Sequence, residues 1–282
     1  MIELAANRYG KAAIRIVRVG RDTTPHTLRD LTVSIALEGD FTAAHTDGDN
    51  RHVVATDTMK NTAYAFAAEH LTGAIETYAT SLARHFLEES QVDRAIVNVR
   101  EHAWHPIDVA GQPAPDAFVR SGEGTRVTTV AVARDGMVVE AGVEDLVVVK
   151  TTRSAFTGFP RDRFTTLAET DDRLMATKLT AIWTYGSPDL DHDRVWRDAR
   201  TTLLETFADH DSPSVQASVW IMAKVMLERH AEIEEVRMVL PNLHHWTVDL
   251  STFGLANDRQ VYVSTTEPHG LIEATVRRSE IG

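Results

Sequence analysis

The 282 residues contain no cysteine. That removes disulfides, thiolate metal sites and thiol nucleophiles together, and it fits a reducing compartment. Long apolar runs are missing as well. No stretch approaches the ~18 residues that a membrane span needs, so no membrane partner is expected. The opening MIELAANRYGK carries Glu3 early and lacks the apolar centre of a secretory signal. The closing RRSEIG lacks a Ser-Lys-Leu type tripeptide. A cytoplasmic location is therefore the expectation. Basic runs are absent too: 29 Lys and Arg stand against 41 Asp and Glu, a formal net charge of −12. Nucleic-acid readers usually present a basic face, so no nucleic-acid partner is expected, although a local basic pocket for a small anion remains open. Neither GxxxxGK(S/T) nor GxGxxG occurs, which argues against a nucleotide or dinucleotide cofactor, and HExxH is missing. The thirteen histidines do not suggest a metal site. His102 and His105, three apart on a strand-like stretch, would point to opposite faces, and adjacent His244 and His245 would also diverge. No metal or organic cofactor is expected.

What is there is ordinary for a soluble globular chain: 43% hydrophobic and 25% charged residues, at a length that suits about two domains. AAIRIVRV (12–19), LTVSIALEGDF (31–41), RAIVNVRE (94–101) and RVTTVAVAR (126–134) read as strands. Residues 62–90 read as helical, with Ile75, Tyr78, Leu82 and Phe86 on one face. Asp135-Gly136 between β-rich runs signals a hairpin. The second half repeats the plan. VEDLVVVKTT and LMATKLTAIWTY are strand-like. A helix near 190–208 buries Val195, Ala199, Leu203 and Phe207. Another starts at Ser212-Pro213, with Val215, Val219, Met222 and Met226 on its inner face. EVRMVL, HHWTVDL and RQVYVSTT return to strands. Strands flanking helical pairs argue for antiparallel sheets in an α+β fold. Two similar halves, 1–134 and 135–282, argue for an internal duplication.

VVATDTMKNTAY (53–64) is the odd stretch. Two hydroxyls, a carboxylate, an amine and an amide crowd the point where a strand gives way to a helix. Capping is the plainer explanation, and Asn61 or Thr62 could supply it, which leaves Thr56-Asp57 unexplained. Phe156, Phe159 and Phe164 lie in irregular backbone around Gly158 and Pro160. Arg173 follows Asp171-Asp172, and Gln216 sits in the first turn of an otherwise apolar helix. Asn242 comes after Pro241, where a strand pauses, with His244 two residues on. Each has a bland reading: core aromatics, a surface ion pair, an exposed amide, a turn. Together they suit a flat, polar, anionic heterocycle. A ring stacks on Phe, Arg binds two acceptors side by side, and Gln offers a donor and an acceptor.

These motifs are similar to those of urate oxidases (uricases). YGKAAIRIVRV, AAHTDGDNRHVVATDTMKNTAYAFA, FTGFPRDRFTTLAETDDRLMAT, LPNLHHWTVDL and HGLIEATV carry the resemblance, which runs from Tyr9 to about Arg278 and looks most like the bacterial enzymes. It implies two tandem T-fold domains per chain and a tunnel-shaped homotetramer. It also implies cofactor-free conversion of urate, O2 and water to 5-hydroxyisourate and hydrogen peroxide. Phe156 then resembles the ring that stacks on the purine, Arg173 the group that grips its carboxamide edge, and Gln216 the amide that faces it. Leu167, Val215 and Ile272 resemble apolar walls. Asn242 resembles the residue that caps an oxygen or water site above the ring, where Thr56 also belongs. Lys11, Thr56 and His244 resemble a proton relay, and the Asp57 N–H a contact to the purine. Lys11 and Thr56 would come from one subunit, and Phe156, Arg173 and Gln216 from its neighbour. Two other readings stay open: a non-catalytic purine-binding protein, and another T-fold enzyme acting on pterins or purines.

Overall fold

A computed structural model of the chain describes residues 2–265 and 267–279. Its strands are β1 (Tyr9–Gly20), β2 (Thr27–Gly39), β3 (Val92–Glu101), β4 (Trp104–Val109), β5 (Gln112–Arg120), β6 (Thr125–Ala133), β7 (Gly136–Lys150), β8 (Met175–Tyr185), β9 (Ile233–Thr247), β10 (Tyr262–Thr265) and β11 (Leu271–Arg277). The helices are α1 (Thr42–Thr46), α2 (Thr56–His70), α3 (Ile75–Leu87), α4 (His192–Asp209) and α5 (Val215–Arg229). The chain forms two compact units, Met1–Gly142 with Thr184–Trp196, and Val143–Trp183 with Arg197–Gly282. No helix among the described residues is long and apolar enough to cross a membrane.

In the first unit the sheet order is β1-β2-β3-β6-β7. The pairs β1–β2, β2–β3 and β3–β6 are antiparallel. Alternation decides which face is dry. Leu31, Val33, Ile35 and Leu37 of β2 are buried, and the register sets Val33, Ile35 and Leu37 opposite Val99, Val97 and Ala95. Directly opposed residues share a face, so these side chains form one apolar layer. Helix α3 packs against β3 and β6, burying Ile75, Tyr78, Leu82 and Phe86 as its spacing predicts. The Tyr78 hydroxyl donates to the Ala63 carbonyl of α2 at 2.8 Å. Arg126 of β6 reaches Glu76 at 2.7 Å and Asp193 at 2.6 Å, and fully buried Glu76 is pushed above the ordinary carboxylate range by desolvation.

One expected helix over 62–90 proves to be two, and the first begins at Thr56. Its buried residues are Met59, Ala63 and Ala67 at steps of four. This stripe is so weakly apolar that periodicity does not reveal the first turn. The N-cap position is Ala55, and no side chain caps it. Asn61 and Thr62 lie inside the helix and bond back to Asp57 and Thr58, so neither is a cap.

In the second unit β7 precedes β8 and β9 in the sheet order, and β10 and β11 both pair with β9. MVVEAGV and VEDLVVVK fall on a single strand, and RQVYVSTT, whose last residue lies outside the described residues, supplies β10. Val236, Met238 and Leu240 are the buried alternate positions of β9. Helix α5 packs on β9 and β11 and buries Val215, Val219, Met222 and Met226. Its cap is Ser214, which accepts from the Ala217 N–H at 3.1 Å, two residues beyond the expected Ser212. Ser212 instead bridges in parallel to Ser154.

No pause occurs at Pro241: β9 runs through it. What breaks is the partner. Glu235 to Pro241 pair with β11, and His244 to Thr247 pair with β10. Asn242 sits at the changeover, its N–H donating to the Gly270 carbonyl at 2.8 Å. Proline has no N–H to give, so the interruption of the ladder falls beside it.

Candidate active site

Lys11, Thr56 and Asp57 belong to the first unit. Between Lys11 and Ile14 the β1–β2 register slips: Lys11 opposes Ile35 and Ile14 opposes Val33. Three steps on β1 thus match two on β2, a bulge with Ala13 in the left-handed region at φ 57°. Without the extra residue Lys11 would point away from the face of Ile14. With it, Lys11 shares the face of Ile35, the side on which α2 packs against β1. Gly10 lets the two strands approach, since a Cβ there would stand 1.9 Å from the Ile35 carbonyl oxygen.

Residues 53–55, expected to end a strand, are irregular backbone leading into α2, and they are pinned to the same place. Val54 N–H donates to the Tyr9 hydroxyl at 2.8 Å, and the Tyr9 ring meets Phe41 edge-on at 4.7 Å. Tyr9→Phe should therefore cost about 1 kcal/mol, because a half-buried N–H loses its acceptor. A lower urea midpoint with unchanged slope would show it. Thr56 and Asp57 then occupy the first turn of α2, where backbone N–H groups have no partner inside the helix and favour an anion. A hydrogen bond from Lys60 and its charge, with a smaller contribution from Lys11, hold the Asp57 carboxyl below its usual value. Lys11 is thus within electrostatic reach of the α2 N-terminus.

The second unit holds a cavity of about 560 Å³. Phe156, Leu167, Arg173, Asn242 and His244, all expected site residues, line it. Phe156 stacks on Phe159 at 4.9 Å, and the Arg173 guanidinium carbon lies 5.3 Å from the centre of the Phe156 ring. The loop that carries them has little regular structure. Phe156 N–H donates to Thr170 O at 2.8 Å, Thr170 N–H returns to Phe156 O at 3.1 Å, and Arg173 N–H reaches Ser154 O at 2.7 Å. Burial pushes the Arg173 guanidinium down from its ordinary value, and its buried Nε has no hydrogen-bond partner among the described residues. Asn242 Nδ2 lies 3.4 Å from His244 Nδ1, and the His244 ring stacks on Trp246 at 5.4 Å.

Three expected residues of the second unit do not line this cavity. Val215 is buried and Gln216 exposed at the start of α5. Ser212, just upstream, bonds to Arg153 O and to the Ala155 N–H, which ties the entry of α5 to the Phe156 arm. Ile272 stands beside Asn242: a Cβ on Gly270 would meet Ile272 Cδ1 at 3.8 Å and Asn242 Cβ at 4.0 Å. Asp172, Trp246, Arg259 and Tyr262 line the cavity without having been expected to. Only Asp172 gave a signal, as a carboxylate next to Arg173.

The family model described as Uricase matches residues 7–131 and again 139–273. The chain belongs to the uricase family. The uricase of Arthrobacter globiformis is 41% identical over 278 residues, covering 98% of this chain and 90% of the relative. That of Dictyostelium discoideum is 38% identical, covering 99% of each. The crystal structure of the Arthrobacter globiformis uricase superposes with a TM-score of 0.93 over 99% of this chain and 96% of that one. The crystal structure of a Bacillus fastidious uricase, 25% identical, gives 0.83 over 96% of this chain and 94% of that one. The uricase-family fold is the α+β T-fold in tandem, as the paired family matches and the antiparallel sheets agree.

Proposed function

We propose that the chain is a urate oxidase that converts urate, O2 and water to 5-hydroxyisourate and hydrogen peroxide. The observation that carries this reading is Arg173. In a chain of the uricase family, a half-buried guanidinium whose Nε has no partner among the described residues stacks on Phe156 inside a cavity shared with Asn242 and His244. Such a group is short of an anion, and a planar oxyanionic purine would complete it. Phe156 offers aromatic surface to the ring. Gln216 faces the purine from the first turn of α5, with Leu167, Val215 and Ile272 as apolar walls. Asn242 and Thr56 hold O2 or water above the ring.

The chemistry sets the task for the remaining groups. Triplet oxygen reacts poorly with closed-shell molecules, so the bound anion must give electrons one at a time, and loss of a further proton makes it a better donor. Lys11 accepts that proton through Thr56, and His244 extends the relay. The first-turn N–H of Asp57 contacts the purine, as suits a helix N-terminus. The two groups lie in different units of one chain, and the reading completes each site across a subunit interface of a homotetramer. The tandem domains divide at 1–134 and 135–282, supported by the matches to 7–131 and 139–273. The family resemblance implies no cofactor.

Oxygen uptake by chelator-treated protein tests the reading. Adding urate should consume O2, release peroxide and bleach the near-ultraviolet band of urate. Urate binding without uptake would leave a purine-binding protein and reject catalysis.

A further inference from the structure

The backbone between β7 and β8 carries both Phe156 and Arg173, yet no continuous strand or helix fixes their spacing. One side chain reaches both arms of this loop. Asp172 Oδ1 accepts from the Thr152 hydroxyl and from the Arg153 N–H, each at 2.9 Å. The carbonyl of Asp172 accepts from the Thr170 hydroxyl at 2.8 Å and from Arg259 Nη1 at 3.2 Å, and its Oδ2 lies 3.4 Å from the same guanidinium.

Two of these partners are strained. Arg153 and Arg259 hold left-handed backbones at φ 59° and 57°, a conformation that is unfavourable for a residue with a Cβ. Such strain persists only where neighbours over-determine it. For Arg153 the Asp172 carboxylate is one such neighbour, Ser212, which gives its N–H to Arg153 O, is another, and the Ala208 carbonyl and Asp211 hold its guanidinium. If the carboxylate is lost, Arg153 can relax. Ser154, which takes the Arg173 N–H, follows directly, and Phe156 is two residues further on.

We propose that Asp172 is a positioning residue that sets the Phe156–Arg173 pair for the purine. This rests on the functional reading above. The ion pair with Arg259 is not the source of the effect, since both side chains are largely exposed at 39% and 58% and such pairs are worth little. The side-chain oxygen that accepts from Thr152 and Arg153 is what matters. Asp172→Asn keeps that oxygen, whereas Asp172→Ala removes it.

Steady-state kinetics and anaerobic urate binding test the proposal. Asp172→Ala should raise both KM and Kd for urate about tenfold, at about 1.4 kcal/mol per decade, with kcat within about threefold of the wild type. Asp172→Asn should stay within about threefold on every constant. Thr152→Val removes one donor, leaves the carboxylate in place and serves if Asp172→Ala does not fold; it should raise KM about threefold. An Asp172→Ala enzyme with wild-type KM, a kcat loss at constant KM, or an Asp172→Asn enzyme as impaired as Asp172→Ala would each overturn the proposal while the wild type still oxidises urate. With Thr152→Val alone, an unchanged KM would do the same. A wild type that neither binds nor oxidises urate would overturn the functional reading, and this one with it.

Discussion

Lys11→Met should lower urate turnover by about 10²–10⁴-fold, the range that a positioned acid or base contributes, while urate KM stays within about threefold. The split follows from where the residue stands. Lys11 lies on the first unit, on the bulged end of β1, facing the side where α2 packs. Phe156, Arg173 and Gln216, the side chains assigned to grip the ring, lie on the second unit. Methionine keeps an unbranched stem of similar length and removes only the ammonium, so the Tyr9–Val54 bond that fixes the segment leading into α2 should survive. Anaerobic titration with urate, beside oxygen-electrode kinetics, separates the two constants. Thr56→Val should reproduce part of the kcat loss, because it interrupts the relay without removing its acceptor. If kcat and urate affinity fall together in Lys11→Met, the residue binds the anion and is not the base.

The same bulge marks the limit of what the sequence reveals. The strand AAIRIVRV is visible from its β-branched residues, but counting by twos from Ile14 puts Lys11 on the wrong face. Only the register against β2 shows the additional residue that turns it. Helix α3 is legible because Ile75, Tyr78, Leu82 and Phe86 are large and periodic, whereas the first turn of α2 is not, because Met59, Ala63 and Ala67 form a thin stripe. Pro241 misleads in the opposite direction. It is a sound sign of an interrupted ladder, but the interruption belongs to the partner strands, and Asn242 gains its place at the change from β11 to β10. Phe156 and Arg173 stand out as an aromatic and a cation in irregular backbone. Asp172, beside them, reads as a surface carboxylate because its bonds to Thr152 and Arg153 span about twenty residues of loop that no periodicity describes. Long-range polar contacts in irregular backbone leave no spacing in the sequence, so the side chains that hold a loop in shape are harder to find than those the loop presents.

Arg173→Ala should weaken urate binding by about 2–5 kcal/mol, the usual cost of truncating one partner of a buried charged pair, which is roughly 30-fold or more in Kd. Folding should respond differently. The buried Arg173 Nε has no partner among the described residues, and burial already disfavours the charged guanidinium. Its removal deletes an unsatisfied donor together with its packing on Phe156, two effects of opposite sign, so Tm should change by no more than a few degrees. That contrast distinguishes a ligand-binding arginine from a structural one, whose loss would lower Tm and leave Kd alone. Arg173→Lys refines the test. An ammonium restores the charge but not the planar fork that meets two acceptors side by side, so it should recover only part of the lost affinity. A lysine variant that binds urate as tightly as the wild type would show that charge alone holds the anion. An alanine variant with unchanged affinity would remove Arg173 from the site altogether.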